Sequence, residues 1–292
     1  RSDLEFAVVS NPEFLREGSA VQDFLKPDRV VVGCDDQAAA FRVSSLYLGV
    51  AAPVIVTDTA SAETIKYAAN AFLATKLSFV NAIAAICEGV GADINHVVAG
   101  MGSDKRIGSD FLKPGPGWGG SCFPKDSKAL LNIASQAGYS FDLLAGVIAV
   151  NQQQYARVTD KILTAIGRPP AEATVAVWGL TFKALTDDLR ESPAINILSR
   201  LIEEGVHIRA YDPTVSGAKV GLPSEVEVCL DPYAACQGAD ALAVLTEWDE
   251  FRWLEAAKVA DVIARPQVVD ARNLLDRSQW LHAGFTHQGI GR

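Results

Sequence analysis

The sequence lacks several features on which common classes of protein depend. It has only four histidines, and no two of them have the spacing of metal ligands, so no metal site is expected. Its five cysteines include no CxxC pair and are odd in number, which favours reduced thiols and a cytoplasmic location. Basic residues do not predominate, since the net charge is −9, and a nucleic-acid partner is therefore not expected.

Long apolar runs, internal repeats and low-complexity tracts are also missing. The most apolar run, residues 72–86, is interrupted by Lys76 and Asn81, so no membrane span is predicted. No secretory signal is recognisable at the beginning. The first residue is Arg1, in a polar approach to a strand-like run, which suggests that the sequence enters a domain part-way through. With 49% hydrophobic residues, the 292-residue chain can bury the cores of two or three units.

What is present is an alternation of strand-like and helix-like segments. Short β-branched runs bounded by Pro, Gly or Asp predict strands at 6–10, 29–33, 53–57, 174–178, 207–211, 241–245 and 267–269. Apolar residues at helical spacing predict helices at 38–48, 61–88, 92–101, 127–137, 145–166 and 192–204. Thr59 or Ser61 is expected to cap the longest of these helices.

This pattern predicts an α/β fold class in three parts. Residues 1–58 resemble the closing part of a Rossmann-like sheet without its opening. Residues 59–168 form a central helical domain that contains the long helix. Residues 169–292 alternate strands and helices, which indicates a second Rossmann-like, doubly wound domain.

A glycine-rich loop leads to one cysteine. The segment from Lys113 to Cys122 contains four glycines, and Lys125 and Asp126 follow the thiol closely. If a helix begins at Phe123, the Cys122 thiol lies at its N-terminus, where the helix dipole and a nearby cation favour the thiolate. A single cysteine is more often a structural thiol, but the glycines and the two charged residues favour a nucleophile, with Asp126 placed to hold water or take a proton.

Polar residues also share one face of the long helix. Lys66 and Asn70 are four residues apart, and Asn81 returns to the same face three turns later. Burying these groups without partners is costly, so a pocket that uses them to stabilise an oxyanion is predicted. The alternative is that Lys66 extends to solvent with its stem packed.

Two further groups of charged residues are candidates for the same site. Glu13 follows the strand at 6–10, and ligands of open α/β sheets lie at the carboxyl ends of strands, so Glu13 is placed to act as a base toward water. A solvated carboxylate is the commoner fate of such a glutamate. Arg106 and Lys113 flank Phe111 and can meet a phosphate or a sugar, or remain surface cations. The turn at Gly179 is not GxGxxG and is a poor dinucleotide signal.

Taken together, these segments resemble the nucleotide-sugar 6-dehydrogenases, in particular those that act on UDP-glucose. The resemblance runs in the family's order from Asn11 to about Gly284 and is most specific over Gly119–Asp126. The other matching segments are Asn11–Gly18, Lys66 with Asn70, Arg106–Gly108, Phe182–Lys183 and Arg190–Ser192.

The resemblance implies a four-electron oxidation of UDP-glucose to UDP-glucuronate by two NAD+, through a thiohemiacetal and a thioester on Cys122. It implies catalytic roles for Cys122, Lys66, Asn70, Asp126 and Glu13. It implies contacts to the UDP-sugar by Phe14, Leu15, Glu17, Arg106, Phe111, Lys113, Gly119, Phe182, Lys183 and Arg272. It places Lys125 and Arg190 near NAD, and Arg106 in the site of a partner subunit, within a homodimer formed about the long central helix.

One departure from the family is large. The glycine turn that opens the family's NAD-binding domain, and a catalytic threonine downstream of it, have no counterpart at the start of this sequence. These 292 residues are therefore expected to lack dehydrogenase activity by themselves. The alternatives are oxidation of GDP-mannose or UDP-N-acetylmannosamine, and a non-catalytic nucleotide-sugar-binding module in which the thiol is incidental.

Overall fold

The computed structural model describes residues 5–217 and 219–292. It divides into two compact units, of which the first extends to Phe72 and the second from Leu73 to Arg292. Both units contain parallel β-structure flanked by helices, and the described residues form ten α-helices. The α/β fold class predicted from the sequence is confirmed. The three-part division at residues 58 and 168 remains a prediction.

The first unit is built on a parallel pair of strands. Its elements are α1 (Ala20–Leu25), β1 (Val30–Gly33), α2 (Gln37–Ser45) and β2 (Val54–Thr57). β1 pairs with β2 from Val30 to Gly33 and is buried along its whole length. The predicted strand at 6–10 is wrong: only Ser10 forms a bridge, antiparallel, with Gly33. Phe6 and Val8 are exposed, at 78% and 63%, while Val9 packs against the core around β1.

A single long helix, α3 (Thr59–Val90), carries the chain from the first unit into the second. Its N-terminus is capped by Asp58, which accepts hydrogen bonds from the Ser61 backbone N–H and hydroxyl at 2.7 Å, so neither Thr59 nor Ser61 is the cap. These bonds lower the pKa of Asp58. The length and hydropathy of α3 alone would suffice for a membrane span, and 39% of its most apolar window is buried.

Three helices follow α3 in the second unit: α4 (Ile94–Gly102), α5 (Phe123–Gln136) and α6 (Asp142–Ile166). α5 begins four residues earlier than the helix predicted at 127–137, because Pro124 is accommodated in its first turn. α6 ends at Ile166, and the next residue, Gly167, has a φ of 56°, in the left-handed region that glycine adopts without strain.

The remainder of the second unit is a six-stranded parallel sheet in the order β5-β4-β3-β6-β7-β8. Its strands are β3 (Thr174–Trp178), β4 (His207–Tyr211), β5 (Val226–Val228), β6 (Ala241–Val244), β7 (Gln267–Asp270) and β8 (Thr286–Gln288). Its helices are α7 (Pro193–Glu203), α8 (Pro232–Cys236), α9 (Ala256–Val262) and α10 (Arg277–His282). The central strands β3 and β6 are buried on both faces, as a doubly wound sheet requires. The segments that follow β3 and β7 carry Phe182, Lys183 and Arg272.

Candidate active site

The thiol of Cys122 lies at the beginning of α5. Cys122 is the residue that precedes the helix, and its carbonyl accepts the Asp126 N–H at 2.9 Å. Of the five cysteines, all unpaired, only Cys122 is not buried. Asp126 lies in the first turn and is 3% exposed, and its Oδ1 is 3.6 Å from the Lys125 ammonium. A helix that begins at Phe123, with Cys122 directly before it, is thereby confirmed; the role of the Asp126 carboxylate toward the thiol stays a prediction.

The buried thiols of the same unit contrast with Cys122. Burial raises the pKa of Cys236 to about 12 and raises that of Cys229. Both therefore stay protonated at neutral pH, and neither is a competing nucleophile. Cys87 is also buried.

The loop that leads to the thiol is held by buried polar side chains of α3 and α6. At one end, Asn81 accepts the Gly115 N–H at 2.8 Å, and Gln154 donates to the Gly115 carbonyl at 2.7 Å. At the other end, Asn151 accepts the Trp118 N–H and donates to the Trp118 carbonyl, both at 2.9 Å. Because the backbone groups of a buried loop need partners, these side chains fix the path of the loop. Asn81 thus binds the loop through its carbonyl oxygen; its predicted part in a pocket that stabilises an oxyanion stays a prediction.

The segment that follows β3 also packs against the loop. A Cβ on Gly119 would lie 1.8 Å from the Glu191 carbonyl oxygen, and one on Gly120 would lie 2.7 Å from the Phe182 ring. Only glycine fits so close to a neighbouring backbone and an aromatic ring. Phe182, a predicted substrate contact, therefore meets the loop at Gly120, two residues before the thiol, while Gly119, another predicted contact, meets the Glu191 backbone.

Arg272, at the carboxyl end of β7, joins this group. Its guanidinium donates to the Leu245 carbonyl at 2.9 Å and to the Phe182 carbonyl at 3.0 Å, and Glu247 lies 3.0 Å away. A Cβ on Gly115 would lie 3.4 Å from Arg272 Nη1. The Lys183 ammonium lies 5.4 Å from the Phe182 ring centroid. Arg272, Phe182 and Lys183 therefore form a cationic and aromatic edge beside the thiol loop.

The turn that carries Phe182 is itself fixed by a buried carboxylate. Asp212, at the end of β4, accepts the backbone N–H groups of Leu180 and Thr181 at 2.8 and 3.2 Å and the Trp248 indole at 3.1 Å. In dinucleotide-binding sheets an acidic residue at this strand end meets a ribose. Here its lone pairs are used within the domain, which agrees with the poor dinucleotide signal of the Gly179 turn.

The other predicted cations lie in contacts of their own. The guanidinium of Arg106 pairs with Asp104 at 2.6 Å while 88% of its side chain is exposed. These bonds raise the pKa of Arg106 and lower that of Asp104. Arg190 pairs with Asp188 at 2.8 Å. Phe111 has a φ of 60°, and its ring lies 6.4 Å from that of Phe123, while Lys113 is exposed.

The first unit brings together another set of predicted residues. The Lys66 ammonium donates to the Glu13 carbonyl at 2.6 Å and lies 3.1 Å from the Glu13 carboxylate. It lies 5.5 Å from the ring centroid of Phe14, whose other cationic neighbour is Arg29 at 3.6 Å. Glu13 and Lys66, 53 positions apart in sequence, are thus direct neighbours, and Lys66 does not simply extend into solvent.

The other predicted residues of the first unit lie within a few sequence positions of Lys66 or Glu13. Asn70, one turn beyond Lys66 on α3, is 9% exposed. The backbone N–H of Leu15 binds the Glu13 carboxylate at 2.6 Å, and Glu17 is half-buried. Asn11 ties the turn to β1 by donating to the Val31 carbonyl at 2.8 Å. The turn from Asn11 to Glu17 is therefore anchored to β1 at Asn11 and to α3 at Glu13.

Several residues that define these groups were missed from the sequence. Asn151, Gln154 and Tyr155 interrupt the apolar pattern of α6 at spacings of three and four, and this polar face was the available signal. Arg29 and Glu191 offered none, because their roles depend on distant Phe14 and Gly119. Burial raises the pKa of Tyr155 to about 12, so its hydroxyl remains a donor.

The fold and these groups define a class: an α/β protein in which a half-exposed thiol, at a helix N-terminus, adjoins the strand ends of a Rossmann-like sheet. Family models match three parts of the chain. They describe the NAD binding domain (residues 1–50), the central domain (60–153) and the UDP binding domain (176–277) of the UDP-glucose/GDP-mannose dehydrogenase family.

Individual relatives agree with these matches. The UDP-glucose 6-dehydrogenase TuaD of Bacillus subtilis is 48% identical over 98% of this chain and 62% of its own length. The UDP-glucose 6-dehydrogenase of Rickettsia bellii is 40% identical over 99% of this chain and 68% of its own length. The structure of a UDP-glucose dehydrogenase from Pyrobaculum islandicum superposes with a TM-score of 0.89 at 34% identity, over 99% of this chain and 64% of that one.

The chain belongs to the UDP-glucose/GDP-mannose dehydrogenase family. It spans 62–66% of the length of the first three relatives.

Proposed function

We propose that this chain supplies the thiol and the nucleotide-sugar site of an NAD-dependent enzyme that oxidises UDP-glucose to UDP-glucuronate. The observation that carries the proposal is the thiol loop. A half-exposed Cys122 at a helix N-terminus is held between buried polar side chains and the cationic edge of the UDP binding domain. The names of the 40–48% identical relatives support UDP-glucose as the sugar.

The chain's own residues would act in sequence on one carbon. C6 of the sugar is oxidised from alcohol to aldehyde, and the Cys122 sulfur adds to that aldehyde to give a thiohemiacetal. Loss of a second hydride gives a thioester, and one water releases the carboxylate and regenerates the thiol. Lys66 and Asn70 would stabilise the oxyanion, Asp126 would take and return protons, and Glu13 would activate the water. NAD, when bound, supplies the acceptor for each of the two hydrides.

The fit of this chain to NAD is limited to the edge of such a site. Among residues 5–217 and 219–292, no glycine-rich turn joins a strand directly to a helix in the way that holds a pyrophosphate. Lys125 and Arg190 are proposed to lie near the cofactor. We therefore expect the 292-residue chain alone to produce no NADH from UDP-glucose. Sustained NADH formation by the purified chain would contradict that expectation.

The nucleotide would occupy the cationic edge. Phe182, Lys183 and Arg272 are proposed to contact the UDP moiety, with Phe14, Leu15, Glu17, Phe111, Lys113 and Gly119 as further contacts. Arg106, exposed on its loop, is proposed to reach a partner's site. Arg272→Met should weaken UDP binding at least about tenfold, as measured by calorimetry, because it removes a charge-assisted contact. Unchanged affinity would remove Arg272 from the site.

Thiol labelling tests the catalytic role directly. Iodoacetamide should alkylate Cys122 faster than Cys229 and Cys236, whose pKa values are raised, and UDP-glucose should slow the reaction. In a preparation in which NAD-binding residues are supplied and UDP-glucuronate forms, Cys122→Ser should lower the rate of that formation at least about a thousandfold. Retained turnover would favour the non-catalytic binding module. Faster turnover of GDP-mannose or UDP-N-acetylmannosamine by the same preparation would change the proposed sugar.

A homodimer about α3 is the proposed assembly. Phe79, Ile86 and Val90 lie on one face of α3 in the second unit and are 50%, 58% and 72% exposed. Large apolar side chains aligned over three turns are costly to leave in water, and a second copy of the helix would cover them. Phe79→Asp with Ile86→Asp should convert dimer to monomer in sedimentation. A wild-type chain that sediments as a monomer at high concentration would contradict the dimer.

A further inference from the structure

One residue of the thiol loop, Trp118, has both its backbone N–H and its backbone carbonyl bound by side chains of α6. Asn151 accepts its N–H and donates to its carbonyl, both at 2.9 Å, and the Tyr155 hydroxyl donates to the same carbonyl at 2.7 Å. Asn151 also donates to the Tyr155 hydroxyl at 2.8 Å. Asn151 and Tyr155 are each 3% exposed. The amide of Asn151 thus supplies the acceptor and the donor that a neighbouring strand would supply to a backbone in a sheet.

The indole ring of Trp118 is anchored as well, and it contacts the helix that begins after the thiol. Its Nε1 donates to Ser78 at 2.8 Å, and Ser78 in turn donates to the Val147 carbonyl at 2.8 Å. The ring meets the edge of Phe123 with centroids 6.3 Å apart and planes at 81°. Phe123 is the residue after Cys122. Trp118 therefore contacts the helix that begins behind the thiol while its own backbone is fixed ahead of it.

Little freedom remains between Trp118 and Cys122. Gly119 and Gly120 are closed against Glu191 and Phe182, as described above. On the other side of Trp118, a Cβ on Gly117 would lie 2.4 Å from the Tyr155 ring. With the backbone enclosed before and after Trp118, the two backbone groups of this residue are a bound point of the loop four residues before the thiol.

We propose that Asn151 is a positioning residue for Cys122 and acts on it through Trp118. The proposal rests on the proposed function, in which Cys122 is the nucleophile. Asn151 does not itself touch the sugar. It holds the loop that places Cys122 directly before α5, at a helix N-terminus where a thiolate is favoured.

The test is the rate of Cys122 alkylation by iodoacetamide across a range of pH in the 292-residue chain, followed peptide by peptide with mass spectrometry. Asn151→Leu keeps the approximate volume and removes all three hydrogen bonds. We expect the rate at Cys122 to fall roughly tenfold or more and its pH profile to move to higher pH, because small displacements of a reacting group are costly. Cys229 and Cys236 should remain unreactive, which reports that the fold is intact.

Thr159→Val is the matched control. Thr159 lies on the same helix, is 5% exposed and donates to the Tyr155 carbonyl at 3.0 Å, so the variant removes a buried hydrogen bond that does not involve the loop. It should keep the wild-type rate and profile. Tyr155→Phe, which removes one of the bonds to Trp118, should have an intermediate effect. Asn151→Asp retains the acceptor for the Trp118 N–H, and its partial rescue relative to Asn151→Leu supports positioning.

Each remaining outcome has a definite meaning. A wild-type rate and profile in Asn151→Leu overturns the proposal, as does simultaneous exposure of Cys122, Cys229 and Cys236, which assigns Asn151 to the fold alone. If Asn151→Leu does not fold, Tyr155→Phe decides, and a wild-type profile there overturns it. If Cys122 of the wild-type chain is alkylated no faster than Cys229 and Cys236, the proposed function is overturned instead.

Discussion

The candidate residues of the first unit and those of the second unit are held in place by different kinds of interaction. In the first unit, Lys66 and Glu13 meet through a charge contact in which 58% of the Glu13 side chain is exposed. In the second unit, the thiol loop is held by neutral hydrogen bonds from side chains that are at most 3% exposed. An exposed ion pair contributes little to stability, whereas a buried hydrogen bond that loses one partner is costly. The loop should therefore be the more sensitive to substitution, and the ion pair the more sensitive to solution conditions.

Crowding the loop should have the largest effect. Gly119→Ala places a methyl group 1.8 Å from the Glu191 carbonyl oxygen, so backbone must move. We expect a loss of about 3 kcal/mol in unfolding free energy, the upper part of the usual range for overpacking. The measurement is urea unfolding followed by tryptophan fluorescence, which reports on the second unit because all five tryptophans lie there.

The control for this substitution is Gly146→Ala. Gly146 is inside α6, and a Cβ there meets nothing within 4 Å. Alanine is the better helix former by up to about 1 kcal/mol, so this variant should be neutral or more stable. Equal losses in Gly119→Ala and Gly146→Ala would show that the close approach at Gly119 is not what constrains the loop.

Removing one buried partner of the loop should cost somewhat less. Asn81→Leu leaves the Gly115 N–H without its acceptor, and an orphaned buried donor costs about 1–3 kcal/mol. The same fluorescence titration measures this loss. Ser103→Ala is a suitable comparison, because its hydroxyl donates to the Ala99 carbonyl at an exposed position. A loss in Asn81→Leu no larger than in Ser103→Ala would mean that water replaces the Asn81 side chain.

The sequence predicted the elements of this region better than its contacts. Periodicity located α3, α6 and the main strands, but it placed the beginning of α5 four residues late, at 127, because Phe123 and Pro124 add no periodic signal to the helix. The short elements α8, α9, α10, β5 and β8 were missed because three to seven residues carry too little periodic signal. The bonds of Asn81 and Asn151 were beyond prediction for another reason. They join residues 33–34 positions apart, and spacing along a helix does not reveal what faces it.

Acid should affect the first unit before the thiol loop. Hydrogen bonds from Arg16 lower the pKa of Asp23. A carboxylate with a lowered folded-state pKa stabilises the fold above its ordinary value, and that stabilisation is lost as the pH falls from about 4. The loop is held by amides and by Tyr155, whose pKa is raised to about 12, and none of these groups titrates in that range.

Segment-resolved hydrogen exchange, corrected for the intrinsic effect of pH, measures this difference. As the pH falls below about 4, protection should decline in α1 before it declines in α5 and α6. Asp23→Asn should remove the extra sensitivity of α1 to acid, and Arg16→Met should give the same result without further loss in the double variant. Simultaneous loss of protection in α1 and α6 would contradict the contrast between the two groups.

The smallest effect on stability is expected at Lys66. Lys66→Met retains the packed stem and removes the ammonium that contacts Glu13, so the protection of neighbouring first-unit segments should fall by no more than about 1 kcal/mol. Lys76→Met is the matched control, since it removes an ammonium from the same helix that donates to the Ile107 carbonyl. If Lys66→Met alone cost more than about 2 kcal/mol, the ammonium would be a structural element of the first unit. A small loss would agree with the proposed role of Lys66 toward the substrate, because the ammonium would then not be needed to hold the first unit together.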